Sequence, residues 1–177
     1  MKKIISIIVL SLILIQCNSD KDFLITKNSL GKINKKTTVA ELDKIFEHDS
    51  VVKLPKNLEI FNKYKVFDKS GNHLLTIKLD GNRDTIRGID NIKIFSNLYK
   101  TEKGLTTDST FKDIVGNYSI SKVDPFIEIV MVSIDEINAS IALDKKDLKI
   151  NEFDMRKISK DQIPDMAKIK YITLWFD

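Results

Sequence analysis

Thr38-Val39-Ala40-Glu41-Leu42 and Thr110-Phe111-Lys112-Asp113-Ile114 carry one pattern: threonine, apolar, any residue, acid, apolar. Each threonine is placed to cap a helix. The acid three residues on can accept from the threonine's own N–H, which closes a capping box. The apolar sets Val39, Leu42, Phe46 and Phe111, Ile114, Tyr118 share the i, i+3, i+7 spacing that makes one stripe on a helix. Gly31 and Gly104 stand shortly before the two segments, where a turn is needed. Two short amphipathic helices are predicted.

The segments after the two helices also match each other. Leu58 to Asp68 predicts a strand, Lys69-Ser70-Gly71-Asn72 a turn, and His73 to Leu79 the returning strand. Phe126 to Ile134, a turn at Asp135 to Asn138, and Ala139 to Leu143 repeat that hairpin. Ile89 to Phe95 supplies a third strand to the first copy and Lys168 to Phe176 to the second. In the last strand Ile169, Tyr171, Thr173 and Trp175 fall on one face and Lys170, Ile172, Leu174 and Phe176 on the other. Both faces are mostly apolar, which places this strand inside a sheet or between a helix and a partner.

The expected fold class is α+β: two tandem αβββ units, each a helix followed by a three-stranded antiparallel meander, with the helices on one face of the sheet. The units cover residues 22–96 and 97–177 and form one folded domain. Two unrelated amphipathic helices would also satisfy the five-residue match; the shared order of elements favours duplication. Tandem αβββ units resemble small envelope lipoproteins and the β-lactamase-inhibitor-like modules, whose sheets bind other proteins. That resemblance is one of architecture and carries no diagnostic residue, so it transfers no function by itself.

The N-terminus reads differently. Lys2 and Lys3 precede an apolar run from Ile4 to Ile15, and Asn18-Ser19-Asp20-Lys21-Asp22 is abruptly polar. A membrane-spanning helix needs about 20 apolar residues. A run of about twelve behind two lysines has the form of a secretory signal instead. Leu14-Ile15-Gln16-Cys17 resembles the lipobox of bacterial lipoproteins, with Gln16 standing where that pattern has a small residue. The resemblance implies that residues 1–16 are a signal peptide, that Cys17 carries the lipid (palmitate among its acyl chains), and that residues 17–21 are a tether. It implies a cell-envelope protein, anchored to the outer membrane through Cys17. Cys17 is the only cysteine, so the chain has no internal disulfide to form. The stretch Asp20-Lys21-Asp22 weakly resembles surface-sorting tethers; its charge favours a plain solvated linker.

Composition narrows the partners. Loss of Lys2 and Lys3 with the signal lowers the formal charge from +4 to +2, and the remaining charges alternate in sign. Only Arg83, Arg87 and Arg156 are arginine. Nucleic-acid binding needs a clustered basic stripe, so no nucleic-acid partner is expected.

Candidate chemistry is sparse. His48 and His73 are the two histidines, too few for the three or four ligands of a zinc site. Asp80-Gly81-Asn82-Arg83-Asp84 has the D-x-N-x-D opening of a calcium loop, but Thr85 and Asn91 stand where such a loop has glycine and glutamate. Asp80, Asn82 and Asp84 are therefore a weak metal candidate beside an ordinary turn reading. Asp68, Ser70 and Asn72 read as turn residues. Asp135, Glu136 and Asp165 are acids in turns. Trp175, Tyr171 and Phe176 read either as an aromatic contact surface or as core. No catalytic residue, metal or cofactor is assigned. The expected role is a non-catalytic protein-interaction module in the envelope. The alternative is a lipid-anchored enzyme or small-ligand binder with a site among Asp80, Asp84, Asp90 and His73.

Overall fold

A computed structural model describes residues 21–55, 62–81 and 87–176. Cys17, Asn82, Asp84 and the first residues of the strand expected from Leu58 lie outside the described residues.

Both capped segments are helices. Helix α1 is Val39–Ile45 and α2 is Phe111–Asn117. The Glu41 carboxylate accepts from the Thr38 N–H at 2.7 Å, and that of Asp113 from the Thr110 N–H at 2.8 Å. Those backbone bonds favour the ionised acids and hold both carboxyls below their ordinary range.

Both expected hairpins and both third strands are also present, but the expected fold class is overturned. Among the described residues the chain is mostly β, with twelve strands in one sheet of four and one of eight beside the two short helices α1 and α2, not an α+β pair of αβββ units. The small sheet comprises β1 (Leu24–Ile25), β2 (Ser29–Leu30), β3 (Ile33–Asn34) and β8 (Lys100–Thr101), in the order β3-β2-β1-β8. Its strands are two residues long, too short to show any periodicity. The large sheet comprises β4 (Ser50–Lys53), β5 (Lys63–Phe67), β6 (His73–Asp80), β7 (Gly88–Ile94), β9 (Lys122–Pro125), β10 (Ile129–Ile134), β11 (Ala139–Asp144) and β12 (Ile169–Trp175).

Its order is β4-β5-β6-β7-β12-β11-β10-β9, antiparallel throughout. Two four-stranded meanders thus meet along β7 and β12. The outermost strands β4 and β9 have no counterpart in the expected units. Each is four residues long and charged, and β9 ends in Pro125, a residue sheets admit at their edges.

Alternation sorts the two faces. On β5, Tyr64 and Val66 are buried while Lys63 and Lys65 point the other way. The buried set continues from Val66 through Leu75, Ile94, Ile172, Ile141 and Val132, which pair across successive strands. Leu42 of α1, Phe111 and Ile114 of α2, and Ile25, Leu30 and Ile33 of the small sheet join the same cluster. Burying one such side chain contributes about 1.5–3 kcal/mol. One core therefore lies on one face of the large sheet.

The last strand does lie inside the sheet, but its faces need correction. Leu143 pairs with Ile169 and Ala142 with Tyr171, so Lys170 bulges out of register. A bulge of one residue reverses which side chains face inward. Ile169 consequently joins Ile172 and Leu174 in the core, while Tyr171, Thr173 and Trp175 stay on the opposite face. Gly88 marks a second local constraint. Its φ is +141°, and a Cβ there would lie 2.2 Å from the Lys35 carbonyl oxygen, which accepts from the Ile89 N–H at 2.8 Å. A larger residue would break this seam between β7 and the segment before α1.

Candidate functional site: the concave face of the large sheet

Eight strands spaced about 4.8 Å apart would make a flat sheet roughly 34 Å wide. Here a single hollow of about 630 Å³ is lined both by Lys65 of β5 and by Asp124 of β9. The sheet therefore curls, with the side chains opposite the core on its inside.

Register gives the hollow its order. Lys65 pairs with Thr76, Thr76 with Lys93, Lys93 with Thr173, Thr173 with Ser140, and Ser140 with Ser133. Directly opposed residues on one face have Cβ atoms about 4.5–5.5 Å apart, so these six make a continuous polar belt across β5, β6, β7, β12, β11 and β10. All six line the hollow. Lysine offers donors alone, and each hydroxyl offers one donor besides its lone pairs. Beside the belt, Lys63 pairs with Lys78, Lys78 with Asn91, and Asn91 with Trp175. Phe95, Met131 and Phe126 supply the apolar part of the lining.

Local contacts fix several of these groups. The Lys78 Nζ lies 2.6 Å from the Asp90 carboxylate. The Lys93 Nζ sits 4.7 Å from the centroid of the Tyr171 ring, within cation–π range. Burial pushes the Tyr171 hydroxyl pKa upward. The Trp175 indole N–H donates to Ser140 Oγ at 3.1 Å. Thr173 stands apart. It is 1% exposed, and its hydroxyl is the buried side-chain polar atom without a hydrogen-bond partner among the described residues. Such a group costs about 1–3 kcal/mol unless something satisfies it.

His73 is at one corner of the hollow, stacked 4.3 Å from Phe95 and 5.1 Å from Phe67. Its Nε2 is 2.9 Å from the Leu75 carbonyl oxygen and 3.0 Å from Thr76 Oγ1. Burial lowers its pKa below the ordinary value of 6.5. The unfolded chain therefore takes up this proton first as pH falls, and folding loses stability below about pH 6.5. His73→Phe should flatten that acid limb, read as a smaller drop in Tm between pH 7 and pH 5. Equal drops in the two proteins would contradict this assignment.

The remaining candidates fall elsewhere. His48 is exposed beside Glu47 at 3.5 Å. Asp80 lies 3.5 Å from the Arg87 guanidinium at the end of β6; its calcium-loop companions Asn82 and Asp84 are outside the described residues. Among the described residues no three of His, Cys, Asp or Glu gather to hold a metal. Asp68 closes the β5–β6 turn by accepting from the Ser70 and Asn72 N–H groups at 2.9 and 2.8 Å. Asp135 and Glu136 sit in the β10–β11 turn, where they contact Ser121 and Lys103. Asp165 offers its carbonyl to the Lys112 N–H at 2.9 Å. The terminal aromatics divide: Phe176 packs in the core, while Trp175, 37% exposed, and Tyr171 take the concave face. Of the three described residues proposed for a ligand site, Asp80, Asp90 and His73, only His73 lines the hollow, and Asp90 reaches it through Lys78.

Sequence reasoning misses the belt itself. A signal exists in Lys63-Tyr64-Lys65-Val66, whose alternation puts two lysines on the face opposite the core. Its continuation through Lys93, Thr173 and Ser140 depends on strand order and register.

No protein-family model matches the chain, and no curated protein matches it. Among solved structures it is similar to the crystal structure of the uncharacterized protein yfeY from Escherichia coli. The TM-score is 0.57, at 13% sequence identity, over 86% of this chain and 99% of that one. The two share a fold.

Proposed function

We propose that this chain is a lipid-anchored protein of the cell envelope that works by non-covalent binding in the concave face of its large sheet. The observation that carries this reading is the polar belt from Lys65 to Ser133, a row of donors lining one hollow. His73 shares that hollow, but its Nε2 is engaged by Leu75 and Thr76 and its ring is stacked on Phe95, which suits a wall better than a proton carrier. The anchor rests on Lys2-Lys3, the apolar run and Leu14-Ile15-Gln16-Cys17. Each buried acyl methylene contributes about 0.8 kcal/mol, so several chains on one cysteine would hold a soluble body at a bilayer. Among the described residues no helix is long and apolar enough to cross a membrane.

The anchor is tested by growing a bacterial host with a labelled palmitate analogue and separating its membranes. The wild-type protein should carry label and sediment with the membranes. Cys17→Ala should lose the label, leave the membrane fraction or remain uncut, and keep its fold. A Cys17→Ala protein that still carries label at the wild-type level would end the lipoprotein reading.

A further inference from the structure

Resting on the binding role assigned to the concave face, we propose that the hollow takes an amphipathic anion. Its carboxylate or phosphate head would seat against Lys93 and Thr173, with an apolar body along Trp175, Met131 and Phe126. Three observations converge on this class. The first is charge. Lys63, Lys65, Lys78 and Lys93 all line the β5–β7 side of the hollow, and among the described residues the acids that face them are Asp90 against Lys78 and Asp124 on the other side. The second is the buried Thr173 hydroxyl, which has no hydrogen-bond partner among the described residues and sits directly across from Lys93. A head-group oxygen reaching it would satisfy a group the folded protein leaves orphaned. The third is the division of the wall: cations lie on one side, and Met131 and Phe126 on the other with Trp175 between. A volume of about 630 Å³ falls within the roughly 300–1,000 Å³ of small-molecule sites.

An acidic polypeptide segment matches the charge but not the donor balance. Each residue of an extended peptide brings an N–H that needs an acceptor, and the four lysines of the hollow offer none. A carboxylate or phosphate brings acceptors only. Lys93 rests over the Tyr171 ring on a flexible four-carbon stem, so its Nζ can swing toward an arriving anion.

Trp175 is the only tryptophan, so its fluorescence reports occupancy directly. The mature protein would be titrated with decanoate and decyl phosphate below their micelle concentrations. Octyl glucoside, inorganic phosphate and an Asp/Glu hexapeptide would be run alongside. Saturable changes are expected with decanoate and decyl phosphate, at least tenfold tighter than with the other three. Lys93→Gln should weaken binding tenfold or more. Thr173→Val, which keeps shape and removes the orphaned hydroxyl, should weaken it at least threefold while Tm holds or rises. A structural role for Thr173 alone would leave binding unchanged, and that result would overturn the seat. Equal binding of octyl glucoside would remove the anion requirement, equal binding of phosphate the apolar body, and tighter binding of the peptide would assign the face to a protein partner. If no probe binds while the belt lysines are shielded in envelope-derived protein, the ligand class falls and the binding face stands.

Discussion

Replacing Lys145 with methionine is expected to lower unfolding stability by about 1–3 kcal/mol, the cost of orphaning one buried acceptor, and to release the loop after it. Lys145 directly follows β11 and is fully buried. Its Nζ donates to the carbonyl oxygens of Glu152 and Asp154, its N–H donates to Glu128, and its carbonyl accepts from Ile150. The Glu128 N–H also donates to Glu152 at 3.0 Å, so one lysine ties the loop to the turn between β9 and β10. Methionine nearly conserves volume, leaves the Asp154 carbonyl without its donor and leaves the Glu152 carbonyl with the Glu128 N–H alone. Urea denaturation should show the loss, and limited proteolysis should cut first between residues 146 and 157. A methionine variant as stable and protease-resistant as the parent would show that the loop is held by its apolar contacts alone.

Ile172→Ala should cost about 2–5 kcal/mol, the range for emptying a buried isoleucine site. Ile172 is fully buried on the innermost strand, paired with Ile94 on one side and Ile141 on the other. It therefore belongs to both meanders at once. Ile172→Val should cost only about 0.5–1.5 kcal/mol, because one methylene leaves a smaller void. The shared core also predicts one cooperative transition in the parent and in both variants. Two transitions by circular dichroism and tryptophan fluorescence would mean that the meanders fold separately and that β7–β12 is a soft seam.

The sequence is legible where chemistry is local. Thr38 with Glu41 and Thr110 with Asp113 announce helices through bonds spanning three residues. Asp68 and Asn72 announce the turn of the first hairpin because the Asp68 carboxylate closes it on the N–H and the side-chain amide of Asn72. The fold class is not legible, since β1, β2, β3 and β8 are too short to alternate and β4 and β9 hide among charges. Lys170 shows a second limit: a bulge is set by pairing with β11, so Ile169 changes faces with no local sign. The candidate site shows the same limit more sharply. Lys65, Lys93, Thr173 and Ser140 are far apart in the chain, and only the order β5-β6-β7-β12-β11 makes them neighbours. His73 is found because histidine stands out by type. Thr173 is not, because a threonine in an apolar strand signals nothing until its hydroxyl is counted.

The binding face is tested most directly by lysine acetylation with mass-spectrometric readout, comparing the protein in intact envelopes with the purified, delipidated protein. Occupancy of the concave face predicts that Lys65 and Lys93 are acetylated at least several-fold more slowly in the envelope, while Lys27 and Lys69, exposed outside the hollow, react alike in both. Equal rates at all four lysines would mean that the hollow stands empty where the protein works, which contradicts the account.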